Sequence, residues 1–351
     1  MGTVAQAIPA LRREDGWIYR RNWDLTFLIF SAVLVPLPFL VAWLAEHLAG
    51  APPARAIELI NMGVAALIGG PHLFSTFTLT LLNRSFLRRH PYYAASAGLI
   101  PLVVIYCGLY HYALLIQFFF AWASLHVLHQ IIYISDCYRA RQNPGDSRYS
   151  RVVDYGLILT GMYPLGMYKV AAGAFRVGGV VLAYPDWARG LHLPEAAGVV
   201  FTAFLVAWAL KTYREWQAGR MSVPKTLLIG ITTLVSLLLP LGSNLDVLFQ
   251  GYNTWHSFQY LFLFWLLNRL RYLRGEIDNA LVRAAVRSES VTPYYLSFLA
   301  ATGVLVVIAL IVRAVSGLAA DQSYFMVVLS VLLVHYYYDH YLFTGTELVR
   351  D

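Results

Sequence analysis

Charge and cysteine are scarce in this chain. Only 13% of its 351 residues are charged, and only two, Cys107 and Cys137, are cysteine. Each sits in or at the end of an apolar run, so no disulfide framework of the kind that staples small secreted folds is available. With 59% hydrophobic residues and a mean hydropathy of +0.58, too little polar surface remains to cover a soluble domain. A phosphate-binding glycine loop is also missing, because Gly69-Gly70-Pro71 lies inside an apolar run without a following Lys-Ser/Thr pair. Internal repeats, low-complexity tracts and a polar stretch long enough for a soluble domain are all lacking. The first apolar run, 25–44, is too long for a signal-peptide core of roughly 7 to 15 residues and is expected to remain as an anchor.

What the chain does have is a succession of runs near the length of about 20 apolar residues that crosses a bilayer. Ten fall at 25–47, 57–82, 93–111, 113–138, 152–172, 194–213, 224–242, 245–268, 294–316 and 322–345. Pro52-Pro53, Asn143-Pro144-Gly145-Asp146 and Leu241-Gly242-Ser243-Asn244 punctuate them. Lysine and arginine gather on alternate sides of this series. With the N-terminus inside, 21 of the 26 lie in inner segments, and only Arg55, Lys169, Arg176, Arg189 and Arg313 lie in outer ones. The pattern predicts an all-α, polytopic transmembrane helical bundle of about ten spans with both termini cytoplasmic. It forms a single integral membrane domain over 1–351, with 1–23 as a cytoplasmic N-terminal segment and 273–292 as a cytoplasmic loop able to form a surface helix. A multi-pass protein of a bacterial inner (cytoplasmic) membrane is expected. The net charge of +7 belongs to this topology signal and excludes nucleic acid as the natural partner.

Ten histidines divide by position. His47, His90, His111 and His192 fall at span ends or in loops, where water satisfies them. His72, His126, His129, His256, His335 and His340 fall within spans, where an ionisable group is costly and usually functional. His72 is 12 residues from Arg84, His129 is 10 from Arg139, His256 is 13 from Arg269 and His335 is 12 from Glu347. At 1.5 Å per residue, these offsets place the second, fourth, eighth and tenth spans' histidines in one layer, about 15 to 20 Å from the inner boundary. Those spans run in the same direction, so equivalent positions can meet at one axis. Residues three or four apart share a helix face, which groups His126 with His129 and Gln130, and His335 with Asp339. Separately hydrogen-bonded histidines between packed helices are the plain alternative, but they have no reason to share a depth.

The expected metal ligands are therefore His72, His126, His129, His256, His335 and Asp339. His340, Gln130, Gln259, Tyr260 and Thr76 stand where they could hydrogen-bond and orient them, and Trp255, Tyr336 and Tyr338 could line an apolar tunnel to the ion. Imidazole with at most one carboxylate, and no thiolate at that depth, suits iron, zinc or copper. Oxygen and apolar molecules both partition into bilayers, so a non-heme iron oxygenase or oxidoreductase acting with O₂ on a lipid-like substrate is the natural chemical use. A mononuclear iron centre is favoured and a dinuclear one is open. The H-x-x-x-H and H-x-x-H-H boxes of membrane desaturases are absent. Two other classes compete: a membrane b-type heme held by two of the histidines, and a metal or proton transporter with a His/Asp relay.

Four short patches carry a resemblance: Gly70-Pro71-His72, Leu125-His126, Trp255-His256 and Val334-His335-Tyr336-Tyr337-Tyr338-Asp339. Their order resembles the Brp/Blh family of membrane β-carotene 15,15′-dioxygenases. That resemblance implies a polytopic protein that cleaves an isoprenoid with O₂ at iron held by histidines from several helices, with His72, His126 and His256 as matching ligand positions and His335 and Asp339 on the matching last helix. Thr76 stands where the family typically has Asp and Tyr260 where it has a second His, while His129 has no counterpart.

Overall fold

The computed structural model describes residues 16–142, 147–188, 190–242 and 245–345. The Asn143-Pro144-Gly145-Asp146 and Ser243-Asn244 punctuation, most of the N-terminal segment with Arg12 and Arg13, and the flanking residues Arg189, Glu347 and Arg350 lie outside the described residues. The described residues are mainly helical, with almost no strand. Its elements are α1 (Arg21–His47), α2 (Pro53–Thr78), α3 (Arg84–Arg89), α4 (Pro91–Tyr110), α5 (Tyr112–Gln142), α6 (Arg148–Thr160) and α7 (Tyr163–Ala171). There follow β1 (Arg176–Val177), β2 (Val180–Val181), α8 (Leu193–Gln217), α9 (Val223–Leu241), α10 (Leu245–Leu273), α11 (Ala280–Ala285), α12 (Thr292–Ser316) and α13 (Ala320–Leu342).

Among the described residues, seven helices are long and apolar enough to cross a membrane: α1, α2, α4, α5, α8, α9 and α12. The most apolar stretch of α8 is only 6% buried, and that of α4 only 11%. Leu99, Leu102, Val199, Val206, Leu210, Val307, Leu310 and Ile311 stand exposed on α4, α8 and α12. Continuous apolar faces of this kind are tolerated in lipid and not in water. The protein is a helical membrane protein.

The three remaining expected spans are helical but more polar. The run 152–172 is split into α6 and α7 by a turn at Gly161-Met162, ahead of Pro164, and it carries the buried Asp154. α10 and α13 carry buried polar residues along their length, among them Gln250, His256, Gln259, Asn268, His335 and Asp339. α10 can do so because it is the central helix: Trp255, Tyr260, Phe262, Leu263, Phe264, Trp265 and Leu266 are each at most 1% exposed. It packs mainly against α1 and α2. Gly251 lets α1 come close, since a Cβ there would run into the carbonyl of Val35. A helix sheathed by other helices has no lipid to satisfy.

Two further features depart from the reading of the sequence. The end of the N-terminal segment folds back: Ile18 and Tyr19 are buried, and their N–H groups donate to the Asp24 carboxylate at 2.6 and 3.2 Å. In the loop after α7, β1 and β2 pair around Gly178-Gly179, both at positive φ (56° and 78°) as a tight hairpin turn requires. Within 273–292 the helix is the six-residue α11, N-capped by Asn279, whose side chain accepts from Leu281 and Val282 N–H.

Candidate metal centre

The site begins with a break in α2. Ala65–Gly69 winds as a π-helical turn, a form that recurs at functional positions. Pro71 offers no N–H to the carbonyl of Leu67 four residues back. The hydroxyl of Tyr295, on α12, donates to that carbonyl instead, at 2.9 Å. Gly70 permits the approach of α12, because a Cβ would clash with Thr302. The same break leaves the Gly69 carbonyl 2.9 Å from Nδ1 of His72. Ser257 Oγ lies 3.1 Å from that nitrogen and donates onward to Asn253 Oδ1, also at 3.1 Å. Nδ1 of His72 is thereby the protonated nitrogen, and Nε2 keeps its lone pair.

His72 meets three more imidazoles. His126 of α5, His256 of α10 and His335 of α13 are all buried with it, and one ligand atom from each lies within 4.8 Å of all the others. The rings form a closed square. Centroids are 4.9 Å apart for His72–His256, 5.0 Å for His256–His126, 5.0 Å for His126–His335 and 4.5 Å for His335–His72, every pair edge to face. Four buried histidines from four helices thus form a cluster that can hold a metal ion.

Asp339 borders the square and is fully buried. Its Oδ1 accepts from Tyr260 at 2.7 Å and from Thr76 at 3.1 Å. Thr76 Oγ1 also receives Nδ1 of His335. These protons are assigned so that each has an acceptor, and they leave His335 with a bare Nε2. Asp339 Oδ2 faces that Nε2 at 3.6 Å and Nε2 of His126 at 3.8 Å. These separations are too long for a shared proton. Two ligand atoms each about 2.0 to 2.2 Å from one ion stand up to roughly 4.2 Å apart, and the observed separations fit that.

Nε2 of His72, His126 and His335, both ring nitrogens of His256, and Oδ2 of Asp339 find no hydrogen-bond partner among the described residues. Each buried, unsatisfied polar atom costs about 1 to 3 kcal/mol. Six of them together cost as much as the whole stability of a typical domain. A cation at the centre satisfies all of them but one, since His256 can turn only one ring nitrogen to it.

The other expected site residues divide. Gln130 donates to the His256 carbonyl at 3.1 Å and to Gln259 Oε1 at 3.2 Å, and Gln259 donates to the Leu28 carbonyl at 2.5 Å. They fix the backbone of α10 rather than an imidazole. His129 is not brought into the cluster. Three residues on from His126 it is turned by about 60°, and its ring packs against His340 at 5.5 Å and Phe343 at 5.4 Å. His340 is exposed, away from the square. Tyr336 stacks on His126 at 4.1 Å. Tyr338 instead turns to α4, where its hydroxyl donates to the Tyr93 carbonyl, and Trp255 packs on Tyr252. Ser257, which holds His72, has no signal in the sequence beyond its place one residue after His256.

A second buried polar cluster escaped the reading of the sequence. Arg139, Lys211 and Lys225, counted there as inner loop charges, are 3%, 7% and 3% exposed. All three converge on the fully buried Asp154: Arg139 at 2.7 Å, Lys225 at 3.2 Å, and Lys211 in a shorter ion pair. Asp136 pairs with Arg139, and Glu215 lies 3.6 Å from Lys211. The six charges balance, and they tie α5, α6, α8 and α9 together.

Fold and cluster together define a polytopic helical membrane protein with a buried four-histidine site. Compared with family models, curated proteins and solved structures, the chain matches none.

Proposed function

We propose that the protein is an integral membrane metalloenzyme, a mononuclear non-heme iron oxygenase or oxidoreductase that acts with O₂ on a lipid-like or isoprenoid substrate. The observation that carries the metal is the facing of Nε2 of His126 and His335 and Asp339 Oδ2, none with a hydrogen-bond partner, at 3.6 to 3.8 Å inside the square of imidazoles. His72, His126, His256 and His335 would hold the ion, with Asp339 at its side. Imidazoles already crowd one another around the centre, which favours a bare ion over a porphyrin needing the equatorial space. An iron ion there supplies redox chemistry toward O₂.

The chain's own residues do the rest. Thr76 and Tyr260 hold Asp339 by one oxygen and leave the other facing the centre. Gly69 and Ser257 fix the tautomer of His72. Tyr336, stacked on His126, and Phe343 beside it make an apolar wall that excludes water and suits a hydrocarbon chain. The patches around His72, His126, His256 and His335 that resemble the Brp/Blh dioxygenases point within this class to a polyene, whose double bond takes both atoms of O₂ and needs no external reductant. Ten spans with both termini cytoplasmic in a bacterial inner membrane remain part of the proposal. They rest on the charge alternation, with α6–α7, α10 and α13 added to the seven apolar helices.

Elemental analysis with an optical spectrum and iron-edge X-ray absorption on the purified, metal-replete protein tests this. The expected result is one iron per chain, a first coordination sphere of nitrogen and oxygen only, and no Soret band. A Soret band would replace the proposal with a heme protein. Metal flux into proteoliposomes that disappears with His256→Ala would replace it with a transporter.

A further inference from the structure

A concavity of about 670 Å³ opens between α3 and the segment that follows α10. Arg84, Arg88 and Arg89 line it from α3 and Arg283 from α11, with Asp278 the only carboxylate in the lining among the described residues. We propose that this pocket binds a phosphate-bearing ligand. The four guanidiniums come from segments nearly 200 residues apart in sequence, and none of them forms an ion pair with a carboxylate among the described residues. Four exposed guanidiniums around one hollow set up a positive potential that attracts an anion, and guanidinium forks match phosphate oxygens two at a time.

The positive-inside rule accounts for arginine on this side of the protein but not for its convergence on one hollow. The pocket is also built on fixed elements. Asn83 caps α3 by accepting from Ser85 and Phe86 N–H, and Asn279 caps α11 in the same way. Phe86, Ile277, Val282 and Val286 are buried beneath the charged rim. Arg269 donates to the carbonyls of Val286 and Arg287 at 3.0 and 2.7 Å and clamps the segment. Arg84 and Arg88, one turn apart, present their heads on one face, while Arg89 is braced on Ser85 by its Nε, 3.2 Å from the carbonyl. Arg283 reaches the Asp278 carbonyl at 3.3 Å, which orients its fork without neutralising it.

A phosphate group reaches the pocket from two sources, the headgroup of an anionic lipid or a soluble phosphate compound. Native mass spectrometry and binding titration of the full chain in neutral detergent distinguish them, with phosphatidylglycerol as one probe and inorganic pyrophosphate as the other. The variant Arg84→Gln/Arg88→Gln/Arg283→Gln is compared with a control of equal charge change outside the pocket, Arg148→Gln/Arg151→Gln/Arg214→Gln. Retained metal content and a monodisperse elution profile show that both are folded. The expected result is one bound probe per chain, at least tenfold weaker in the pocket variant and within twofold of wild type in the control. Binding of phosphatidylglycerol alone assigns the pocket to lipid, and binding of pyrophosphate alone assigns it to a soluble ligand. Equal weakening in both variants, or no stoichiometric binding of either probe, overturns the site and leaves the four-histidine centre untouched.

Discussion

Asp339 lies one helical turn beyond His335, and its Oδ2 stands 3.6 Å from that residue's Nε2, beyond hydrogen-bond reach. Neither atom has another partner. A carboxylate oxygen and an imidazole nitrogen buried face to face without a hydrogen bond are costly, and a cation between them offsets that cost.

Loss of one imidazole from the square is expected to empty it. His72→Ala, His126→Ala, His256→Ala and His335→Ala should each fall below a tenth of an ion per chain, whereas His129→Ala keeps close to one. Elemental analysis of purified variants reads this directly. If His129→Ala lost metal as completely as the other four, the ligand set would have to be redrawn.

The charge of Asp339 is separable from its hydrogen bonds. Asp339→Asn preserves an oxygen for Tyr260 and Thr76, so its expected effect is a 10- to 100-fold drop in metal affinity, the usual scale for groups that tune a metal site. Tyr260→Phe keeps the Thr76 bond and the charge, and should lose less than tenfold. Competition against a chelating dye gives both numbers, and an Asn variant that binds like wild type would remove Asp339 from the site.

Metal removal should also soften the fold. With free ion at 100 times Kd, binding adds about 2.7 kcal/mol to the folded state, which corresponds to a fall in Tm on the order of 5 °C when a chelator strips the ion. The variant lacking all four histidines should show no shift with chelator. A wild-type melting curve indifferent to chelator would mean that the square is stable without an ion.

The Asp154 cluster makes a sharper demand on stability. Asp154→Asn leaves Arg139, Lys211 and Lys225 facing one another in a buried space, and breaking a buried ion network by removing one partner costs about 3 to 5 kcal/mol. The folded yield of this variant by fluorescence-detected size exclusion should collapse. By contrast, Arg55→Ala, which breaks an exposed pair with Glu58, should change stability by about 0 to 1 kcal/mol.

What the sequence disclosed about the site follows from the geometry of a membrane helix. Position along such a helix converts to depth at 1.5 Å per residue, so counting from His72, His256 and His335 to the charge flanking each span on the inner side placed them in a common layer before any packing was known. Direction around the helix is less legible. His126 and His129 differ by only about 60°, and the choice between them falls to the packing of α5 on α13, where Phe343 and His340 receive His129. The buried charges of Asp154, Lys211 and Lys225 were illegible for a different reason. Each sits near a span end, where a solvated charge is the ordinary case, and only the fold brings the ends of α5, α6, α8 and α9 together. The α6–α7 break hid in a run that remains apolar on either side of Gly161.

The burial of α10 has a consequence for how the protein is made. With Gln250, Asn253, His256, Gln259 and Asn268 along its length, α10 is too polar to partition from the insertion machinery into lipid by itself. The helices that ensheathe it most closely, α1 and α2, are both synthesised before it. The chain therefore lays down a receptacle first and then threads its most polar segment into it, so α10 enters protein rather than bilayer. Ribosomes carrying nascent chains that end just beyond α10 should hold that helix across the membrane only when the preceding helices are present.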